Sequence, residues 1–349
     1  MISKPLYLED VKKVAALEME WSRIAGKHFL ISGASGMIGS FLIDLLMYKN
    51  RAENAGITVT ALVRNEERAR QRFSAYAGDE RLRIVKCDIN EGVDISGAKA
   101  DFVIHAASNT HPVAYATDPV GTVTTNIIGT NNLLKYAAEK GCERFVFLSS
   151  VEVYGENRGD TEYFSEDYMG YIDCNTLRAG YPESKRCGEA LCQAYIRKEH
   201  MDIVIPRLAR SYGPSMLKSD TKAISQFIAN GVKRENIVLK SAGTQLYSYT
   251  YAADAVSGVL CCLLRGECGQ AYNIADPASD ITLRDLAGII AGIAGREVVF
   301  EIPDAVESAG FSKATKAIMD GAKIKKLGWQ PLYDMQGGLE RTIALLREA

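Results

Sequence analysis

Short apolar runs recur along the chain, separated by longer stretches in which apolar positions fall three or four residues apart. The runs include "HFLIS", "ITVTALV", "RLRIVK", "DFVIH", "RFVFLSS" and "DIVIPRL". They are nearly continuous instead of alternating, the pattern of strands buried on both faces. The stretches between them, such as "IIGTNNLLKYAAEKG", carry helical spacing. Buried strands alternating with helices predict an α/β fold: a doubly wound parallel sheet with helices on both faces. Residues 1–26 read as an amphipathic helical extension packed outside the domain. Residues 27–180 form the sheet domain. Residues 181–349 hold a further helix, the last sheet strands and a smaller C-terminal domain. No repeat, low-complexity segment or proline-rich linker separates these parts, so the smaller domain is expected to interleave with the larger.

Composition narrows the function. A chain of 349 residues is long enough for a large core. Its net charge of −2 argues against nucleic acid or an anionic membrane as the main partner. No apolar run reaches the roughly 18 residues of a membrane span. The N-terminus is charged and lacks the apolar core of a secretory signal, so a cytoplasmic protein is expected. Its eight cysteines show no CxxC spacing, and Cys261 and Cys262 fall together on a helical stretch. They read as reduced thiols. His28, His105, His111 and His200 lack metal-ligand spacing, so no metal is expected.

Two patterns carry chemistry. "GASGMIG" places Gly33, Gly36 and Gly39 between a strand and a helix. There the backbone must turn tightly, admit a pyrophosphate and let the helix pack close, and a helix N-terminus favours the anion. That predicts a dinucleotide. The second strand ends in Arg64 instead of the acid that takes ribose hydroxyls, which favours a 2′-phosphate and NADP; stacking on adenine leaves NAD acceptable. Asp88, after the third strand, is placed for adenine or for capping a turn. Further on, "YPESK" sets Tyr181 and Lys185 four apart on one helical face. A phenol with a pKa near 10 is a poor base at neutral pH, and a nearby ammonium favours its anion. The same lysine can hold the nicotinamide ribose. Ser150, at a strand end, can share a hydrogen bond with a substrate hydroxyl. Two residues on, Glu152 interrupts the apolar "VEVYG", where an unpaired carboxylate is costly to bury.

With these motifs the chain resembles the extended short-chain dehydrogenase/reductase family, the NAD-dependent epimerases, dehydratases and decarboxylases that modify nucleotide sugars. The likeness is carried in order by "GASGMIG", "HAAS", "TNIIGTNNLL", "LSSVEVYG", "YPESK", "RSYGP", "YTYAADAV" and "KIKKLGWQP". It implies a Rossmann domain with a smaller domain closing over a nucleotide-diphosphate sugar, in a homodimer. Ser150, Tyr181 and Lys185 are the implied catalytic triad. Ser35, Met37, Ile38, Ile89, Ala106, Ala107 and Ser108 join the implied cofactor contacts. Asn126 is implied to support the site, with helix capping as its other reading. The 4,6-dehydratases and uronic-acid decarboxylases resemble the chain most, since they share a glutamate two residues after the catalytic Ser/Thr. In a dehydratase that glutamate removes the C5 proton of the 4-keto sugar. In a decarboxylase it positions the substrate. Dehydratases of thymidine-linked hexoses carry an aspartate where this chain has Val151, and other dehydratases and the decarboxylases carry serine, so Val151 weakens the first group without excluding dehydration.

Two further departures concern the substrate. The family has asparagine at Arg210 and arginine at Tyr247, on the nucleotide side. The expectation is that a diphosphate-binding arginine has moved to Arg210, or that Arg210 meets a carboxylate on the sugar. Arg178 is a second candidate for a substrate anion. The sequence thus supports transient oxidation at sugar C4 followed by dehydration or decarboxylation. A 4-epimerase, an NADPH-dependent keto-sugar reductase and a non-catalytic dinucleotide sensor are the alternatives.

Overall fold

A computed structural model describes residues 1–95, 99–110, 117–217, 220–301 and 315–348. His111 lies outside the described residues. The first half runs α1 (Pro5–Ala15), β1 (His28–Ser32), α2 (Met37–Glu53), β2 (Thr58–Val63), α3 (Glu66–Arg72), β3 (Leu82–Lys86), β4 (Phe102–His105), α4 (Pro119–Thr124), α5 (Thr130–Lys140) and β5 (Arg144–Phe147). The second runs α6 (Gly180–Glu199), β6 (Ile203–Leu208), β7 (Arg210–Tyr212), α7 (Ala223–Lys233), β8 (Ile237–Leu239), β9 (Leu246–Tyr251), α8 (Ala252–Arg265) and β10 (Ala271–Ile274). It ends with β11 (Asp280–Thr282), α9 (Leu283–Ala294), β12 (Val298–Phe300), β13 (Lys316–Ala317), α10 (Ala322–Lys326) and α11 (Met335–Arg347).

The main sheet has the order β10-β6-β5-β4-β1-β2-β3, with Ser149–Ser150 as a short further strand on β6. Every pair in it is parallel. This is the Rossmann-type doubly wound sheet. Alternate residues feed its two cores: Phe29 and Ile31 pack with α1, α2 and α8, whereas Leu30 packs on the other face with Leu133, Leu134 and Phe147. The strand order reverses between β1 and β4, and a crevice opens there at the carboxyl ends. His105 pins that point, linking Ser32 at 2.8 Å and Thr130 at 2.9 Å. Burial, then the Lys185 cation, keeps the imidazole pKa well below its usual value.

A second sheet has β9 at its centre, with β7, β11 and β13 beside it. Because β7 follows β6 after a single residue and β10 returns to the main sheet, the chain crosses between the two sheets repeatedly. The N-terminal extension differs from its expected single helix. It is helical only over α1, with a 3₁₀ turn at Trp21–Arg23. The segment between them, "ALEMEW", alternates apolar and acidic residues, a period of two that a helix does not serve. Cys261 and Cys262 are buried on α8, and all eight cysteines are free.

Candidate active site

The crevice is a cleft of about 640 Å³ that spans both sheets. Its floor is the glycine turn. Gly33 has φ +66°, and a Cβ there would stand 2.5 Å from the Ala106 backbone. A Cβ at Gly39 would stand 2.5 Å from the Gly33 carbonyl oxygen. Gly36 caps α2 without a side-chain hydrogen bond, so the first N–H groups of the helix are left for a ligand. Gly36, Met37 and Ile38 line the cleft, Ala106 and Ser108 form its wall, and Ser35 is half-buried in the same turn. This cradle fits a dinucleotide pyrophosphate.

Farther along, Arg64 is exposed at the end of β2, and its guanidinium donates to the Asn109 side chain at 3.3 Å. Asp88 is exposed and accepts the Asn90 N–H at 2.9 Å, which caps a turn. Its neighbour Ile89 is buried. Arg64, Asp88 and Ile89 lie at strand ends beyond the lining of the cleft. Ala107 donates its N–H to the Ser32 hydroxyl at 3.4 Å. Asn126 does not cap a helix. It is fully buried in a π turn, Thr125–Gly129. There its amide accepts from Ser108 at 2.8 Å and donates to Ser184 at 2.9 Å. Ser184 in turn donates to the Tyr181 carbonyl at 2.8 Å. Asn126 therefore ties the segment after β4 to α6.

Tyr181 and Lys185 enter from the first turns of α6, both nearly fully buried. Burial raises the phenol pKa, and the Glu152 charge raises it further. Hydrogen bonding with the Ser150 and Ser108 hydroxyls opposes both. Lys185 Nζ donates to the Leu148 carbonyl at 2.8 Å and lies 4.8 Å from the Phe147 ring centroid. Burial pushes Lys185 down to about 8, against the Glu189 charge. This end of the cleft thus has a phenol held by two hydroxyls, with an ammonium one turn away.

Glu152 opens a 3₁₀ turn, Val151–Tyr154, capped by Ser150, whose hydroxyl accepts the Glu152 N–H at 3.3 Å. Val151, Val153 and Tyr154 turn into the core, which leaves Glu152 in the cleft. Its carboxylate lies between two guanidiniums, Arg210 at 3.6 Å and Arg178 at 3.7 Å. Arg178, on a turn before α6, is 47% exposed, while Arg210 is 17% exposed. Arg210 lies over the Tyr247 ring, 3.8 Å from its centroid. The two positions that depart from the family pattern therefore stack on each other. Arg178, Lys185, Arg210, Lys222 and Lys240 line the cleft against Glu152 and Asp220, an excess of cations suited to an anionic ligand.

One network escapes the sequence reading. Glu189, one turn after Lys185, pairs with Arg207 at 2.7 Å and accepts from Ser149 at 2.5 Å. Arg207 also donates to Tyr154 at 2.9 Å, and Tyr154 donates to Asn273 at 2.6 Å. Arg186 holds the Val153 carbonyl at 2.7 Å. The available signal was a lone arginine inside the apolar run "IVIPRL": a cation buried in a strand requires a partner. Among the described residues no cluster could hold a metal, and no helix is long and apolar enough to cross a membrane.

Comparison with known proteins agrees with this geometry. The model of the NAD dependent epimerase/dehydratase family matches residues 29–275. UDP-glucuronic acid decarboxylase 3 of Arabidopsis thaliana is 31% identical over 310 residues, 89% of this chain and 86% of that one. UDP-glucuronic acid decarboxylase 1 of Xenopus tropicalis is 29% identical over 322 residues, 92% and 72% of the two chains. Among solved structures, a double mutant of the dTDP-glucose 4,6-dehydratase DesIV from Streptomyces venezuelae, with NAD bound, superposes with a TM-score of 0.76. It is 26% identical, over 92% of this chain and 97% of that one.

Proposed function

Because the chain belongs to the NAD-dependent epimerase/dehydratase family, we propose that it decarboxylates a nucleotide-linked uronic acid after oxidising the sugar at C4. It is an enzyme of the epimerase/dehydratase type that modifies nucleotide sugars with a nicotinamide dinucleotide. The observation that carries the finer reading is Val151. A hydroxyl group leaving from C6 needs a proton donor beside it, whereas CO₂ leaves without one. The residue beside Ser150 is a buried valine. The carboxylates lining the cleft, Glu152 and Asp220, are both ion-paired, Asp220 with Lys222 at 3.0 Å. The decarboxylase relatives point the same way.

When bound, the dinucleotide supplies a hydride acceptor at C4 and later returns the hydride. In this reading Tyr181, as the phenolate, takes the C4 hydroxyl proton, and Ser150 shares the hydrogen bond. The C4 carbonyl makes the substrate a β-keto acid. The C5–C6 bond then breaks, CO₂ leaves, and the bonding pair moves to the C4 oxygen as an enolate. Tyr181, now protonated, and Ser150 donate hydrogen bonds to that oxygen. C5 takes a proton from water as the carbonyl reforms. Glu152 holds the sugar in place.

Internal return of the hydride favours NAD as the dinucleotide, and Arg64 faces the adenosine end, where it also admits a 2′-phosphate. The protein is taken as a cytoplasmic homodimer, for which exposed Val120 and Ile128 provide apolar surface; sedimentation measures its mass. The test of function is incubation with UDP-, dTDP-, GDP- and CDP-linked glucose and glucuronate, read by product mass. Loss of CO₂ from a glucuronate supports the proposal. Loss of water identifies a dehydratase, an unchanged mass with inverted C4 an epimerase, and no product from any sugar refutes the reading.

A further inference from the structure

The arginine at position 210 lines the cleft beside Glu152, close to Ser150 and Tyr181. Glu152 is hydrogen-bonded through its N–H to the Ser150 hydroxyl, and Ser150 is bonded to Tyr181. A guanidinium 3.6 Å from the Glu152 carboxylate is therefore beside the residues that act on the sugar ring. The position is built. Arg210 opens β7 opposite Tyr249 of β9, and it stacks on Tyr247, two residues before Tyr249 on the same face. The ring fixes the plane of the guanidinium, and the residue lines the cleft.

Part of the hydrogen-bonding capacity of that guanidinium is unfilled. At 3.6 Å the contact with Glu152 is a charge pair, longer than a hydrogen bond. Nη1 is enclosed and makes no hydrogen bond within the chain. A buried donor without an acceptor is costly, and the planar fork of arginine matches two carboxylate oxygens. Arg178 adds a second cation on the other side of Glu152, 3.7 Å away. Two cations facing one carboxylate leave charge for one more anion.

We infer that Arg210, held flat by Tyr247 and assisted by Arg178, is the specificity residue that binds the C6 carboxylate of the sugar. The inference rests on the uronic-acid reading above and assigns its recognition to this pair. Arg210 selects the acid over the neutral sugar, and Glu152, sharing the same cations, limits how tightly the carboxylate is held before it leaves as CO₂. A lysine at position 210 retains the charge but loses the fork and the flat stack.

Calorimetric titration of UDP-glucuronate, UDP-glucose and UDP into NAD-loaded protein tests this, with Tyr181→Phe as the background so that no substrate turns over. The parent should prefer UDP-glucuronate over UDP-glucose by about tenfold or more, the worth of a charge-assisted contact. Arg210→Gln should lose that preference while binding UDP-glucose and UDP as before, and Arg210→Lys should recover only part of it. An equal loss for all three ligands would place the cation on the diphosphate and overturn the inference, as would no loss at all. Should Arg210→Gln fail to fold, the parent decides alone: no preference for the acid overturns the assignment. The outcome is separate from that of the decarboxylase reading. Release of CO₂ with an unselective Arg210 removes only the clamp, and a selective Arg210 without CO₂ release removes only the chemistry.

Discussion

Replacing Glu189 with glutamine should move the alkaline limit of C4 oxidation to lower pH. Lys185 is buried, and its pKa falls from 10.5 to about 8, which corresponds to roughly 3 kcal/mol against the ammonium. Glu189 opposes that shift from one helical turn away. Side chains four apart on a helix are about 6 Å from each other, and at an effective dielectric constant of about 20 two unit charges there interact by roughly 3 kcal/mol. Arg207, 2.7 Å from the same carboxylate, stays charged in both proteins and drops out of the difference, which is about two pKa units. The protonated lysine is the form that favours the Tyr181 phenolate, so activity is present below the Lys185 pKa and lost as pH rises through it. The parent should lose oxidation with a midpoint near 8, and Glu189→Gln near 6. At neutral pH the lysine would fall from about nine-tenths protonated to about one-tenth. Single-turnover formation of reduced nicotinamide, followed by absorbance across this range, measures the limb. Glutamine keeps hydrogen bonds to Arg207 and Ser149, and a thermal melt checks the fold. A limb that stays in place or moves upward would refute the role given to Glu189.

Arg64→Ala should weaken NADP binding more than NAD binding; titration of both dinucleotides reads this, and equal losses would remove Arg64 from any 2′-phosphate contact. Glu152→Gln should still oxidise C4 but slow the later steps, so reduced nicotinamide accumulates during turnover; unchanged steady-state rates would make Glu152 a bystander. Gly39→Ala should abolish dinucleotide binding, because its Cβ would lie 2.5 Å from the Gly33 oxygen, and retained affinity in a titration would show that the turn yields. Asp10→Ala should cost about 3–5 kcal/mol in denaturant unfolding. Asp10 is fully buried and bonded to Tyr251, Tyr333 and Arg341; a loss under about 1 kcal/mol would mean the network relaxes.

The sequence announces what local spacing controls. Apart from β3 at the sheet edge, the strands of the main sheet are visible because both of their faces are buried, and Tyr181 and Lys185 because a helix aligns residues four apart. The turn at Gly33, Gly36 and Gly39 is visible because a strand and a helix flank it. The setting of Glu152 is not visible in this way. Its partners Arg178 and Arg210 come from a turn before α6 and from β7, and the register of β7 against β9 brings Arg210 onto Tyr247. Two departures from a family pattern, separate along the chain, are one contact in space. The end of the N-terminal helix is not visible in this way, because α1 has a strong apolar face and the period changes only after Ala15. Asn126 resisted assignment because its partners, Ser108 and Ser184, belong to different elements.

The stretch Arg207–Arg210 connects the two halves of the chemistry. Its arginines are three apart in extended chain, an odd spacing that sends them to opposite sides. Arg207 turns back to Glu189 and, through that carboxylate, to Ser149 and the helix that carries Lys185. Arg210 turns forward over Tyr247 to Glu152. Between them Ala209 is the single residue linking β6 of the main sheet to β7 of the second. With so short a link, the cation assigned to the sugar carboxylate cannot shift along the cleft without disturbing the pair that keeps Lys185 charged. In the proposed reaction, the spacing between the groups acting at C4 and the cation offered to the C6 carboxylate is therefore set by the covalent backbone between two sheets. A buried arginine, held by Glu189, Tyr154 and the Glu166 carbonyl, fixes one end of that backbone.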